Sequence, residues 1–513
     1  MIDARILVIE DEDSWWEIVS HTLREELGGA LQIDRALNYA QALEAIRNET
    51  YELISVDLAF PDDMGDPTKS TLPGMLLLKE IRRNPRNMDC GIIILSANST
   101  VARVRQALRS YKVYDFLDKY EFNEKKNEYV EAAKSAIRGA LLQRAAVRVA
   151  NSYQYSVTFD EKSFIKGELV KPDQRLTYPI EHPSLVDFAD LARRADELNQ
   201  RLANGDSDTW REKARSIGKT LFKALAGQLQ VGDGFSTARV LAGTRPSRLT
   251  LQFSGPPEGL SFPFELMSDG DEYLALKHVI TRRVEGAGNA TWRHDSFLKF
   301  VEALLERGEA MRILIVGADS DGMIPGAEEE AVVLARYLES RLSLLGIHHR
   351  IVSLTSEDAT VDRVKDALRH GFHLFHYAGH ATYDDALPER SPVILRDGDL
   401  TASDLKMLFS ETELRLVFLS CCLGGRNAAH PGRGDFHSFP HALSQAGTPV
   451  LVGHRWVVGD DSAANLALHF YRILFRDFCP GQALLRARQN CAVENEDRRD
   501  DASWASPILL MDG

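Results

Sequence analysis

Two stretches, GFHLFHYAGH (371–380) and LRLVFLSCCLGG (414–425), decide how the C-terminal half of the chain folds. Each contains an apolar run with the length and the aromatic or β-branched content of a buried strand, and each ends in small residues that permit a sharp turn. Side chains just past the carboxyl ends of strands in an open parallel α/β sheet converge on one crevice. We therefore expect His380 and Cys422 to lie together at one edge of a sheet.

The chemistry of this pair predicts a Cys–His hydrolase site. An imidazole can take the proton from a nearby thiol, stabilise the thiolate and later protonate a leaving amine. Gly379 would let a backbone N–H approach a developing oxyanion, and the N–H of Cys422 would be the second donor. Because adjacent strand residues face opposite ways, Cys421 is predicted to be a core residue.

These motifs, His-x-x-Gly-His after one strand and Leu-Ser-x-Cys after the next, resemble those of the caspase-like peptidases of the CHAT type. The segments IPGAEEE (324–330) and FPFEL (262–266) also resemble segments of that family, so that the likeness covers roughly residues 250–513. The resemblance implies a caspase-like α/β domain with an accessory subdomain, a Cys422–His380 dyad without a cofactor, and a protein substrate. Cys421 departs from the family, which often has Ala before its nucleophile.

Length and composition set the broad class. A chain of 513 residues is too long for one ordinary core, and 44% hydrophobic with 27% charged residues is typical of a globular protein. A net charge of −14 argues against broad nucleic-acid or anionic-membrane binding. No apolar stretch is long enough to span a bilayer and no signal-peptide pattern is present, so we expect a cytoplasmic protein whose five cysteines are reduced thiols.

The first 121 residues alternate between strand and helix patterns. The apolar runs RILVI (5–9), YELISV (51–56), GIIIL (91–95) and VYDFL (113–117) predict a parallel sheet, and special residues follow their carboxyl ends: Glu10, Asp11, Asp57, Ser96 and Lys119. Carboxylates from two strand ends can hold one Mg²⁺. Ser96 can hydrogen-bond a phosphoryl oxygen, and Lys119 can pair with the new negative charge.

This set resembles the receiver domain of two-component response regulators, a doubly wound, flavodoxin-like fold. The resemblance implies that Asp57 is the phosphoacceptor, that Glu10, Asp11 and Asp57 hold Mg²⁺, and that Phe116 is the switch aromatic. A histidine kinase or another phosphodonor is then an expected partner. Two departures are Tyr120 in place of the usual Pro and a long loop over residues 60–72.

The N-terminal and C-terminal motifs together suggest how the chain is divided into domains. We predict a receiver at 1–121, a connector helix at 122–152, an accessory subdomain at 153–300 and a caspase-like catalytic domain at 301–513. The apolar row of the connector, Val130, Ile137 and Leu141, is either a seam for a homodimer or a face packed on the receiver sheet. Without a basic helix-turn-helix motif, transcription is not the expected output.

Side chains around the crevice give further expectations. Asp319, Asp460 and Asp461 could form a pocket for a basic substrate residue, and Arg426, Arg433 and Arg455 could instead form one for an acidic residue. The glutamates at 328–330 and Thr360 are predicted to begin helices, and Thr401 with Asp404 to form a capping box. The later histidines, at 430, 437, 441 and 454, do not have the spacing of a zinc site.

The sequence thus predicts a receiver-controlled, caspase-like cysteine endopeptidase that acts in signalling or defence. Two alternatives stay open. One is an inactive caspase-like scaffold that binds a partner, and the other is a cysteine hydrolase or acyltransferase that acts on small molecules.

Overall fold

A computed structural model describes the chain except for residues 1–2, 60–72, 98–106, 108, 160–164, 172–174, 180–192, 195–196, 199–209, 226–228, 256–259, 261, 271, 285–295, 321, 323, 383–386, 423–447, 457, 495–502 and 512–513. The chain forms two compact units. Unit 1 contains Met1–Val147, Tyr337–His348 and Phe475–Asp477, and unit 2 contains the rest. No helix in the described ranges has the length and apolarity needed to cross a membrane.

Unit 1 is built on a parallel five-stranded sheet with the order β2-β1-β3-β4-β5. This is the flavodoxin-like strand order. Its strands are β1 (Ala4–Ile9), β2 (Leu31–Ala36), β3 (Leu53–Val56), β4 (Gly91–Ser96) and β5 (Asp115–Asp118). Its described helices are α1 (Asp13–Leu27), α2 (Tyr39–Asn48), α3 (Pro73–Arg83) and α4 (Lys126–Ala150). The predicted fold class is confirmed for this part of the chain.

Strand β2 is the one described element of this sheet that the sequence analysis missed. It lies at the sheet edge, and only Ala36 of its six residues is fully buried. Because Gln32, Asp34 and Arg35 can remain partly in solvent at an edge, the strand has none of the apolar run that marked its neighbours.

The connector helix α4 begins at Lys126 and packs on the receiver sheet. An ideal Cβ on Gly91 of β4 would lie 2.6 Å from the Cβ of Ala136, so the two backbones are in close contact. Its apolar row, Val130, Ile137 and Leu141, is buried within the single chain. The second of the two predicted uses of that row therefore applies, and the row is not a free dimer seam.

Unit 2 is built on an eleven-stranded mixed sheet with the order β12-β11-β13-β16-β17-β18-β10-β9-β6-β7-β8. These strands are β6 (Tyr153–Phe159), β7 (Ile165–Val170), β8 (Arg175–Pro179), β9 (Leu249–Gly255), β10 (Val279–Val284), β11 (Met311–Ala318), β12 (His349–Thr355), β13 (Leu374–His380), β16 (Leu416–Cys422), β17 (Val450–His454) and β18 (Pro507–Met511). A separate hairpin pairs β14 (Pro392–Leu395) with β15 (Gly398–Thr401). The block predicted as an accessory subdomain contributes five strands, β6 to β10, to the same sheet as the strands that carry the candidate site.

The described helices after α4 begin and end as follows: α5 (Trp210–Leu225), α6 (Leu229–Ala242), α7 (Ser296–Arg307), α8 (Pro325–Leu344), α9 (Val361–Arg369), α10 (Ala402–Ser410), α11 (Asp460–Asp477) and α12 (Pro480–Glu494). The C-terminal ends of α8 and α11 are counted in unit 1. The expected helix over 210–229 ends at Leu225. The expected strand over 273–284 is limited to β10, preceded by a 3₁₀ turn at Leu274–Leu276. The predicted helix at 185–202 lies almost wholly outside the described residues.

Two predicted helix caps have different outcomes. Thr401 and Asp404 form the expected capping box at the start of α10. Thr360 precedes α9, but its side chain makes no cap hydrogen bond. Asp397 takes that role instead, because its Oδ1 accepts a hydrogen bond of 2.8 Å from the N–H of Val361.

The segment FPFEL (262–266) supplies a buried ion pair to unit 2. Arg282 of β10 donates to both carboxylate oxygens of Glu265, at 2.5 and 2.6 Å, and to the carbonyl oxygens of Leu260 and Phe262. The pKa of Glu265 is lowered, because Arg282 and then Arg488 outweigh the effect of burial. A buried charge with this many partners holds its surroundings in one arrangement, which gives this motif a structural role.

Candidate functional site

His380 and Cys422 are opposite each other at the carboxyl ends of two adjacent parallel strands. In the ladder between β13 and β16, His380 is the register partner of Cys422, and Gly379 is the partner of Cys421. Register partners share one face of a sheet, and neighbouring strands are about 4.8 Å apart. Cys421 therefore lies on the other face, where it is 5% exposed.

Helices α8 and α11 cover the side of the sheet on which His380 lies, called here the His380 face. On this face His376 of β13 stacks on Phe418 of β16, with ring centroids 5.2 Å apart. The same imidazole packs edge-on against Tyr471 of α11, at 5.7 Å. Aromatic contacts thus fix α11 over the two strands whose ends carry the candidate pair.

Close packing requires the glycine before His380. An ideal Cβ at Gly379 would lie 2.5 Å from Tyr377 Oη and 2.9 Å from the carbonyl oxygen of Ala318. The Tyr377 hydroxyl is in turn held by the carbonyl oxygens of His380 and Ile394, each 2.7 Å away. The end of β13 is therefore fixed from both sides, and a larger residue at position 379 would displace it.

An acidic cavity of about 410 Å³ opens between the N-terminal turns of α8 and α11. Its lining includes four carboxylates: Glu329, Glu330, Asp460 and Asp461. The pKa of Asp460 is raised, first by burial and then by the charges of Asp461 and Asp319, while His380 opposes the shift. Asp460 is thus within electrostatic reach of His380 and of the two other aspartates named from the sequence, Asp319 and Asp461.

Other predicted pocket residues have different positions. Asp319 also shapes the turn before α8, because its Oδ1 accepts a hydrogen bond of 3.0 Å from the N–H of Ile324. Arg455 is buried. Arg426 and Arg433, and the histidines at 430, 437 and 441, lie outside the described residues.

Sequence reasoning missed one group beside this site, Glu330. The run of glutamates at 328–330 was assigned to the helix start, yet Glu330 is buried on the His380 face. A helical wheel would have found it, because position 330 follows Ala327 by three residues and precedes Leu334 by four, and both are core residues of α8.

The residues named at the receiver strand ends also meet. Ser96 Oγ donates to Asp57 Oδ1 at 2.7 Å, and Lys119 Nζ donates to Asp57 Oδ2 at 2.6 Å. Lys119 also lies 2.7 Å from Glu10 Oε2. Burial acts to lower the pKa of Lys119, but its bonds to Asp57 and Glu10 raise that pKa on balance. Lys119 is therefore a buried cation held by two carboxylates.

The donor set here fits a magnesium ion. Carboxylate oxygens of Glu10, Asp11 and Asp57 all lie within 4.8 Å of one another, and Mg²⁺ prefers hard oxygen ligands. Bound there, Mg²⁺ would offset the negative charge of a phosphodonor.

Two aromatic residues lie near this site. Phe116, the predicted switch aromatic, is partly buried against the core of unit 1. The ring of Trp15 lies 5.2 Å from Lys119 Nζ, a cation–π contact that the sequence analysis did not identify.

Comparison with known families decides what these two sites belong to. The family model of the CHAT domain matches residues 211–512, more than half of the chain. The chain belongs to the CHAT domain family. A second model, of the response regulator receiver domain, matches residues 6–131. The protein thus joins a receiver domain to a CHAT domain, which is a family of caspase-like proteases.

Solved structures similar to part of this CHAT protein include receiver domains and response regulators. The signal receiver domain of an HD domain-containing protein from Pseudomonas fluorescens is 17% identical, with 27% of this chain and 96% of that chain covered and a TM-score of 0.22. The response regulator TrrA of Thermotoga maritima, in complex with Mg²⁺ and BeF, is 28% identical, with 25% and 98% covered and a TM-score of 0.20. No curated protein matches the chain.

One histidine of the CHAT domain near the site is a core residue. His454 ends β17, is 1% exposed, and neither of its ring nitrogens has a hydrogen-bond partner in the part of the chain that the structure describes. Burial, and then the charges of Arg488 and His376, lower its pKa to about 4. His454 is therefore neutral near pH 7.

We expect His454 to make unit 2 sensitive to acid. Its pKa is near 6.5 when the chain is unfolded and about 4 when folded, so between these values the unfolded state binds the extra proton. The free energy of unfolding is not reduced by His454 above about pH 6.5. As the pH falls to about 4, protonation of His454 in the unfolded state lowers the free energy of unfolding by about 3 kcal/mol. Replacing His454 with Leu should remove that loss from the pH dependence of the free energy of unfolding, measured with denaturant from pH 4 to 7.5. An unchanged dependence would contradict this role.

Proposed function

We propose that this protein is a cysteine endopeptidase of the CHAT family whose activity is controlled by phosphorylation of its receiver domain. The observation that carries the proposal is the register pairing of His380 with Cys422 at adjacent strand ends. We place the activity in the cytoplasm, in signalling or defence, with a protein as substrate and a histidine kinase or small phosphodonor as the source of the phosphoryl group. Neither nucleic acid nor a membrane is part of the proposal.

The proposed reaction uses the two residues in sequence. The thiol of Cys422 transfers its proton to His380, and the thiolate attacks the carbonyl carbon of the scissile peptide bond. The C–N bond breaks as the imidazolium protonates the leaving amine, which leaves a thioester on Cys422. Water, deprotonated by the same imidazole, hydrolyses the thioester. The N–H groups of Gly379 and Cys422 are the proposed donors to the oxyanion.

The first prediction concerns the nucleophile. Cys422→Ala is expected to abolish cleavage of a peptide library, and Cys421→Ala is the matched control that should retain most of it, because Cys421 pairs with Gly379 and not with His380. Cleavage products are quantified by mass spectrometry. If only the Cys421 variant loses activity, Cys421 and not Cys422 is the nucleophile.

Labelling with a thiol electrophile separates the alternatives. The other cysteines, at 90, 421, 479 and 491, are buried, which limits their access to the electrophile, and burial raises the pKa of Cys90 to about 11. Fast labelling of Cys422 that His380→Ala slows supports the dyad. Equal, slow labelling in both proteins supports a scaffold, and fast labelling without cleavage of any peptide supports a small-molecule hydrolase.

The second prediction is that the residue before the scissile bond is basic. A cavity lined by Glu329, Asp460 and Asp461 within reach of His380 would attract Lys or Arg and exclude acidic side chains. A positional-scanning peptide library should show this preference. Asp461→Asn should lower kcat/KM for an Arg substrate about tenfold, which corresponds to about 1.4 kcal/mol of lost attraction.

The control for this experiment is Asp362→Asn, which removes the same charge near the start of a helix in a different surface cleft. It should leave the preference unchanged. A library that selects Asp or Glu before the scissile bond would refute an acidic pocket for a basic residue.

Control by the receiver is supported by contacts within unit 1. Asp57 is in the same compact unit as residues 337–348, which include the end of α8. Arg138 of α4 donates hydrogen bonds of 2.8 and 2.9 Å to the carbonyl oxygens of Leu345 and Gly346. A phosphoryl group on Asp57 would form new hydrogen bonds with Ser96 and Lys119. If the packing of α4 changes as a result, the hydrogen bonds of Arg138 to these two carbonyl oxygens change with it.

The third prediction is a change in peptidase activity upon phosphorylation. Wild type with Mg²⁺ and beryllofluoride should cleave a peptide at a rate that differs from the untreated rate by about 5- to 150-fold, the range of an allosteric coupling of about 1–3 kcal/mol. Asp57→Asn should show no response. Oligomeric mass is measured alongside, because a receiver can also act through a homodimer.

An unchanged wild-type rate, with Asp57 shown to be occupied by the phosphate mimic, would refute control by this route. Arg138→Ala tests the proposed path. It should retain phosphorylation of Asp57 and reduce the change in cleavage rate.

A further inference from the structure

A buried carboxylate lies beneath the candidate pair. Glu330 is the sixth residue of α8 and is 6% exposed, although it follows two glutamates that remain at least partly in solvent. Favourable interaction with the helix dipole explains an exposed acid in a first turn, but it does not explain why a carboxylate enters the core. Burial of a carboxylate is costly unless the group is paired.

Glu330 has one partner on each of the two strands that carry the pair. Its Oε2 accepts a hydrogen bond of 2.9 Å from Ser420 Oγ, on β16. Its Oε1 lies 3.0 Å from His376 Nε2, on β13, in a contact that is electrostatic because the atoms are not aligned for a hydrogen bond. The carboxylate therefore spans the junction between β13 and β16.

The partners of Glu330 are aligned with the candidate pair. Ser420 precedes Cys422 by two residues, and His376 precedes His380 by four, so each partner is on the same strand face as the residue it precedes. His376 is itself held between Phe418 and Tyr471. The strand segments just before both reactive positions are thus held by one side chain from α8.

We propose that Glu330 is a positioning residue for Cys422 and His380. Glu330 accepts a hydrogen bond from Ser420 and contacts His376. In this way it sets how the carboxyl ends of β13 and β16 lie relative to each other. This inference rests on the proposed Cys–His activity. A reacting constellation tolerates displacements of only about 0.5 Å, and a displacement of about 1 Å can cost about 100-fold in rate.

The test compares Glu330→Ala and Glu330→Gln in the full-length protein. Both remove the charge, but the amide of Gln keeps an acceptor for Ser420 and the shape of the side chain. We expect Glu330→Ala to lower kcat 10- to 100-fold with KM within twofold of wild type, and Glu330→Gln to retain at least a third of kcat. Rates are normalised to the concentration of folded protein, taken from the monodisperse fraction of size-exclusion chromatography and checked by circular dichroism.

Glu328→Ala is the matched control. It removes the same side chain two positions earlier in α8, where its carboxylate accepts a hydrogen bond from Ser356 Oγ. Its kcat and KM should equal those of wild type. An equal loss in Glu330→Ala and Glu330→Gln would overturn the proposal, because charge and not position would then be required. A wild-type kcat in Glu330→Ala would overturn it as well.

Alkylation of Cys422 makes the test independent of a peptide substrate. The second-order rate of alkylation by iodoacetamide should fall in Glu330→Ala in step with kcat, and a wild-type alkylation rate would count against positioning. If wild type cleaves no peptide yet His380→Ala slows its alkylation, the endopeptidase function fails while the alkylation rates still decide the role of Glu330.

Ser420→Ala carries the same test if Glu330→Ala does not fold. It removes only the hydroxyl that donates to Glu330 Oε2, and we expect a 3- to 10-fold lower alkylation rate. Combined with Glu330→Gln, the two changes should be less than additive, because they act on one contact. An unaltered alkylation rate in Ser420→Ala, or full additivity, would overturn the proposal.

Discussion

The parallel ladder between β13 and β16 is the constraint on which the C-terminal site depends. Its register pairs His380 with Cys422 and Gly379 with Cys421. Because strand side chains alternate with a period of two, a slip of one residue would bring the wrong cysteine to the face of His380. The stacking of buried His376 of β13 on Phe418 of β16 makes that slip costly, because a slip would break this contact.

The receiver site uses the same geometric principle with a different chemistry. Asp57 and Ser96 follow adjacent parallel strands, and Lys119 follows the next, so three groups far apart in sequence meet at one sheet edge. Here the dominant interaction is the buried cation of Lys119 between two carboxylates. A phosphoryl group on Asp57 would change the charge and the acceptor atoms that Ser96 and Lys119 face.

Buried polar groups in unit 2 divide into two kinds. Glu265 and Arg282 satisfy each other and nearby carbonyl oxygens far from the reactive pair, so their role is to hold one arrangement of the FPFEL segment. Glu330 instead joins the two strands of the candidate site, through Ser420 on one and His376 on the other. His454 makes no such pairing, and its neutral form is maintained by burial.

The sequence alone predicted the long apolar strands of both sheets, the two domain types and the candidate residues at the strand ends. It could do so because a buried parallel strand must be a continuous apolar run, and because special residues at its carboxyl end break that run visibly. The same reasoning failed where this signal is absent. Strand β2 is an edge strand without an apolar run, and the cap of α9 comes from Asp397, 36 positions away in sequence.

Only the tertiary structure decided which face each residue occupies and what it meets there. The register that separates Cys421 from Cys422, the entry of Glu330 into the core and the joining of β6 to β10 with the strands of the candidate site all depend on contacts between distant segments. Local pattern does not encode such contacts, because a buried carboxylate and a solvent-exposed one look alike in a run of three glutamates. Their difference is physical: Glu330 is paired with Ser420 and His376 in the core, whereas Glu329 is exposed.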